Sequence, residues 1–130
     1  MTRWTEAEYT DWQGRRYSQM VDVGEDTPDE GKESILAGKI SKWARERGYP
    51  ILNFRQSKKA AGFIPIGWPD VCLVLPNRVL FFELKSASGR LRKEQHEVAI
   101  QFAHLGNAIH VIRSYKRFLE IVNEATKEAP

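Results

Sequence analysis

The segment GWPDVCLVLPNRVLFFELK, Gly67 to Lys85, places Asp70 at the head of one apolar run and Glu83 and Lys85 at the tail of the next, with twelve residues between the two acids. Charge at the end of a strand bound for a core costs several kcal/mol unless it is paired or put to use. The runs are rich in β-branched and aromatic residues and are separated by Pro76-Asn77-Arg78, so they read as a hairpin. With the turn centred between Pro76 and Asn77, residues whose numbers sum to 153 face each other, which sets Asp70 opposite Glu83. A turn shifted by one residue would send the two acids to opposite faces, so the inference assumes an odd pairing sum or a compensating bulge. Lys85 lies two residues past Glu83 and joins it on that face, while Leu84 points into the core.

Two polar residues on otherwise apolar helical faces point to the same place. Glu33 falls on the stripe of Leu36, Ala37, Ile40, Trp43 and Ala44, and Gln95 on the stripe of Leu91, Val98, Phe102 and Leu105. One shared polar pocket against the sheet accounts for both. Glu33, Asp70 and Glu83 offer hard oxygen donors, which suit Mg²⁺ or Mn²⁺ and do not suit zinc. An ion held there makes water more acidic, and Lys85 orients that water and stabilises charge on a phosphate oxygen, so phosphodiester hydrolysis is the natural reaction. The bland alternatives are a salt-bridge cluster for Asp70, Glu83 and Lys85, a helix-dipole role for Glu33 and a buried amide for Gln95. A surface cluster explains neither Glu33 nor Gln95.

The elements that must position these residues follow the order α-β-β-β-α-β-α, which implies a mixed sheet with helices packed against it. The stretch TPDE, with Thr27 as cap, Pro28 at the first helical position and Glu30 at the third, predicts a helix from Thr27 to about Arg47 that stops at Gly48 before Pro50. Ile51 to Arg55 reads as a short strand, followed by the basic, glycine-bearing loop QSKKAAGFIPIGWP. A second helix is expected from about Arg90 to Leu105, ending at Gly106-Asn107. After the strand AIHVIR, a closing helix opens on a serine cap and carries Phe118, Leu119 and Val122 on one face. Residues 1–26 lack a sustained period and read as an arm, anchored through Trp4, Tyr9 and Trp12 or trailing as a tail; residues 27–126 form the domain and 127–130 a tail.

Composition is consistent with this reading. The 130 residues suffice for one compact domain, 42% hydrophobic and 28% charged, and no apolar run approaches the length of a membrane span. With no apolar leader and only Cys72, which sits inside a strand, an intracellular, cytoplasmic compartment is the expectation. The net charge is only +3, yet the bases gather in RQSKKAAG and SGRLRK. Arg55, Lys58 and Lys59 on one side of the hairpin, and Arg90, Arg92 and Lys93 on the other, are candidate DNA phosphate contacts. Trp68 stacks on a base or packs under the loop. His96, His104 and His110 lack chelating spacing.

Pro69-Asp70 followed by Glu83-Leu84-Lys85 resembles the PD-(D/E)xK motif of a large nuclease superfamily. With Glu33 on the early helix, Gly67-Trp68-Pro69-Asp70 and the step GRLRKEQ, residues 30 to 122 resemble the VRR-NUC family. The resemblance implies an α/β restriction-endonuclease-like fold with a central mixed β-sheet flanked by helices. It implies a catalytic site of Glu33, Asp70, Glu83, Lys85 and Gln95, with the main-chain carbonyl of Leu84 as a further metal ligand, and Mg²⁺ or Mn²⁺ as cofactor. Stand-alone members, often of phage or bacterial origin, resemble Holliday-junction resolvases, so branched DNA as substrate and a homodimer are the implied partners. Two rivals stay open: a non-catalytic DNA-binding module of the same fold, and a sequence-specific restriction-type endonuclease.

Overall fold

The computed structural model describes residues 32–54, 64–86 and 89–127. The N-terminal arm, the helix start at Thr27, the basic residues Arg55, Lys58 and Lys59, and most of the C-terminal tail lie outside them. In chain order the elements are α1 (Glu33–Arg47), β1 (Ile51–Asn53), β2 (Val71–Leu75), β3 (Arg78–Leu84), α2 (Lys93–His104), β4 (Ile109–Ile112) and α3 (Tyr115–Lys127). The domain is α/β, with one four-stranded sheet in the order β1-β2-β3-β4.

The sheet is mixed: β1 and β3 both run antiparallel to β2, and β4 runs parallel to β3. A parallel neighbour cannot be reached by a tight turn, and α2 supplies the crossover. The β2-β3 hairpin pairs Val71 with Phe82 and Leu75 with Arg78, the odd register anticipated from the turn. Proline presets φ at the first central position, and Asn77 takes the left-handed φ of 64° at the second. That two-residue turn is what keeps the acids in phase.

Two helices and one sheet face make the core. Leu36, Ala37, Ile40, Trp43 and Ala44 of α1 and Phe118, Val122 and Ala125 of α3 close over Val71, Leu73, Leu75, Leu80, Phe82, Leu84 and Ile112. On the opposite face α2 buries Ala99 and Ile100 near Ile109 and Val111. Both α1 and α2 end in a glycine-bearing cap in which two amides return to the last turn: Gly48 and Tyr49 to Arg45 and Ala44, Gly106 and Asn107 to Ala103 and Phe102. The serine cap of α3 is present, with Arg117 N–H donating to Ser114 Oγ at 3.0 Å.

Several expected boundaries are corrected. Lys32 is extended (φ −86°, ψ 155°), so no continuous helix runs from Thr27 through to Arg47; the helix begins at Glu33, two residues after Gly31, a weak helix former. The second helix begins at Lys93 rather than Arg90, because Gln95 Oε1 accepts the Arg92 N–H at 2.8 Å and makes Arg92 the cap. Its buried line is therefore Gln95, Ala99 and Ile100. Leu91 precedes the helix, and Leu105, past its last turn, is 74% exposed. Strand β1 stops at Asn53, two residues short of Arg55. Cys72 is half-buried rather than fully enclosed.

Candidate active site

Strand β3 carries the site because its side chains alternate. Leu80, Phe82 and Leu84 enter the core, so Glu83 and Lys85 emerge on the face that α2 covers. Gln95, in the first turn of α2, meets them: its Nε2 donates to Glu83 Oε1 at 2.7 Å, and its Oε1 accepts from Lys85 Nζ at 3.0 Å. Lys85 Nζ also lies 3.8 Å from Glu83 Oε1. Glu83 is only 3% exposed, so its carboxylate has lost most of its water and gains from Gln95 and Lys85. The same Gln95 oxygen caps the helix through Arg92. One amide thereby ties an acid, a lysine and a helix end into a single network.

Asp70 and Glu33 reach the strand differently. Asp70 Oδ2 accepts the Leu84 N–H at 2.9 Å, and Glu33 Oε1 accepts the Ser86 N–H at 3.0 Å. The Lys85 N–H donates in the opposite direction, to Ile112 of β4, at 3.0 Å. Main-chain groups alternate edges along a strand, so the Leu84 and Ser86 amides, and the Leu84 carbonyl between them, all face the edge that β2 leaves uncovered. Asp70 and Glu33 bracket that carbonyl. The three acids are thus strung along the end of β3 rather than gathered round one point, and among the described residues no three His, Cys, Asp or Glu side chains converge to hold a metal.

The donors still suit a hard cation with much of its hydration kept. Mg²⁺ is commonly held by one or two carboxylates with several waters. Asp70 and Glu83, with the Leu84 carbonyl beside Asp70, are the groups that could hold such an ion. Glu33, like Asp70, places one carboxylate oxygen on a main-chain N–H and so also ties the exit of β3 to α1.

Of the basic candidates, Arg90, Arg92 and Lys93 are exposed at the start of α2, next to Gln95. Lys93 lies 3.8 Å from Glu97 on the helix surface, an exposed pair worth a few tenths of a kcal/mol and no obstacle to a phosphate. Sequence reasoning missed Arg113, whose Nη2 donates to the Gly89 carbonyl at 2.9 Å and ties the exit of β4 to the loop before Arg90. The signal was available: residues that follow parallel neighbours emerge at the same end of a sheet.

Trp68 packs, one of its two anticipated roles. Its ring meets Phe102 and Phe81 edge-on at 5.1 and 6.5 Å. Cys72 is unsuited to nucleophilic work, since burial pushes its thiol up. His110 is driven the other way, to about 4, first by burial and then by the charge of Arg117, and stays neutral at pH 7.

The fold and site together define an α/β domain whose hairpin presents an acid–lysine–amide network at one end of its sheet. No family model matches the chain, and no curated protein or solved structure matches it either. No described helix is long and apolar enough to cross a membrane.

Proposed function

We propose that this chain is a metal-dependent nuclease of the PD-(D/E)xK type, in the VRR-NUC manner, that hydrolyses DNA phosphodiester bonds endonucleolytically. The observation that supports it most is the network in which Gln95 joins Glu83 to Lys85, 2.7 Å on one side and 3.0 Å on the other. Replacing a buried ion pair by apolar residues is often neutral or stabilising, so stability alone does not call for these residue types here.

In this reading Asp70, Glu83 and the Leu84 carbonyl, with Glu33 contributing, would hold Mg²⁺ or Mn²⁺, and the ion would supply Lewis acidity toward a phosphate oxygen. Leu84 N–H fixes the Asp70 carboxylate through its Oδ2, and Glu33 braces the strand exit through Ser86. Lys85 orients the attacking water and offsets charge growing on the phosphate. Gln95 aims Lys85 and holds the Glu83 carboxylate in place. Arg90, Arg92 and Lys93, with Arg55, Lys58 and Lys59 of the preceding loop, hold the DNA backbone by charge and without sequence preference. Branched DNA as the preferred substrate and a homodimer as the working assembly belong to the same proposal.

A non-catalytic DNA-binding module is favoured by one observation: the three acids do not close around a point. Purified protein with labelled four-way junction, flap, linear duplex and single strand, in Mg²⁺, Mn²⁺ or EDTA, separates the two. Metal-dependent cutting that Glu83→Ala abolishes is the expected result. Tight binding without cutting in any metal would overturn it, and cutting of every substrate would remove the preference for branches.

A further inference from the structure

The loop that delivers Asp70 touches the helix that delivers Gln95. Gly67 has φ +88°, and a Cβ placed on it would lie 2.5 Å from the Glu94 carbonyl carbon and 2.9 Å from the Gln95 amide nitrogen. Both obstacles are main chain in the first turn of α2 and cannot swing aside. One residue on, the Trp68 ring rests on Phe102 of the same helix and on Phe81 of β3, and those two rings meet each other at 5.0 Å. Pro69 is then buried, and Asp70 follows with its carboxylate on Leu84.

We propose that Gly67 and Trp68 are positioning residues of the site, setting the distance between Asp70 and the Glu83–Lys85–Gln95 network by docking the loop directly on the first turn of α2. This rests on the nuclease reading for its metal readout, while its structural content does not. Glycine at 67 serves close approach as well as conformation. Any side chain there levers the Asp70 loop off α2, and a displacement of about 1 Å is enough to cost two orders of magnitude in a rate that depends on alignment.

The molecule contains its own control. Gly106 has a similar φ of +84°, and a Cβ there would have nothing within 4 Å. Gly106→Ala carries the strain of a left-handed alanine alone, whereas Gly67→Ala carries strain and displacement. Trp68→Ala removes the ring contact without strain.

Two measurements on the full chain decide the matter: Mn²⁺ binding by calorimetry, and amide hydrogen exchange. Gly67→Ala should weaken Mn²⁺ binding about tenfold and Trp68→Ala roughly threefold, with Gly106→Ala close to wild type, as expected for residues that orient metal ligands. Both site variants should speed exchange at Leu84 and Arg92, whose N–H groups bond Asp70 and Gln95, relative to Lys85, whose N–H bonds β4. Equal exchange ratios in Gly67→Ala and Gly106→Ala would overturn the proposal. If the wild type binds no Mn²⁺, the metal reading falls and the exchange ratios still decide this one. If Gly67→Ala fails to fold, Trp68→Ala decides, and unchanged exchange at Leu84 and Arg92 sinks it.

Discussion

On one face of the sheet α1 and α3 close over Val71, Leu73, Phe82, Leu84 and Ile112, each fully or almost fully excluded from water. On the other, among the described residues, α2 is the helix that packs, through Ala99 and Ile100. On that second face Leu52 of the edge strand β1, and Val74 and Val79 beside the hairpin turn, remain 52%, 39% and 45% exposed, while at the end away from the turn Glu83, Lys85 and Gln95 take the place of an apolar layer. Strand β3 is common to both, with Phe82 and Leu84 on one side and Glu83 and Lys85 on the other. The difference teaches that stability is concentrated on one face, which leaves the other able to carry a desolvated carboxylate. Its burial is offset locally by polar partners, the Gln95 amide and the Lys85 ammonium among them.

The comparison breaks most easily at Phe82. Phe82→Ala should cost about 3–5 kcal/mol in urea denaturation, the range for a buried aromatic, while Val79→Thr three residues away on the open face stays within about 0.5 kcal/mol. Similar losses at both would show that the faces share the load. Next, Asp70→Asn keeps an oxygen for the Leu84 N–H, so melting temperature should hold within a few degrees. Under the nuclease reading, cleavage should nevertheless fall about a thousandfold, roughly 4 kcal/mol of transition-state stabilisation. A melting temperature that drops along with activity would move Asp70 from the chemistry to the scaffold.

His110, opposite Phe82 in the register, makes the dry face sensitive to acid. Its ordinary pKa of 6.5 is lowered to about 4 in the folded chain, so the unfolded chain binds the extra proton. That contribution is intact above about pH 6.5, falls as pH is lowered and is exhausted by about pH 4, a loss of up to about 3 kcal/mol. Stability measured at pH 7 and pH 4.5 should show it, and His110→Phe should flatten the profile. The smallest expected effect is at Ser114, where Ser114→Ala removes the cap of α3 and should cost about 1 kcal/mol without altering metal binding. An effect on metal binding would show that the two faces are coupled.

The hairpin and its register were readable because both are local: Pro76-Asn77 dictates a two-residue turn, and period-two alternation then assigns every side chain a face. The apolar line of α1 was readable for the same kind of reason. The start of α2 was not, because the bond that makes Arg92 its cap comes from a glutamine already engaged with Glu83 and Lys85 from another element. Leu105 misled for a related reason, since an apolar residue one position beyond the last turn has the right spacing and no surface to cover. Glu33 was placed near the site by its phase on the helix, yet phase says nothing about a carboxylate that turns to bond a main-chain amide at Ser86.

By itself, then, the sequence determined the α/β class, the odd register of the β2-β3 hairpin and the common face of Glu83 and Lys85, because turn chemistry and strand period act over a few residues. Only the tertiary structure decided that Gln95 bridges that acid and that lysine, that Asp70 and Glu33 line one edge of β3, that Arg113 ties two loops together, and that Gly67 rests on α2. Those are meetings between elements far apart in the chain, and they depend on how helices and sheet dock, which no local period encodes.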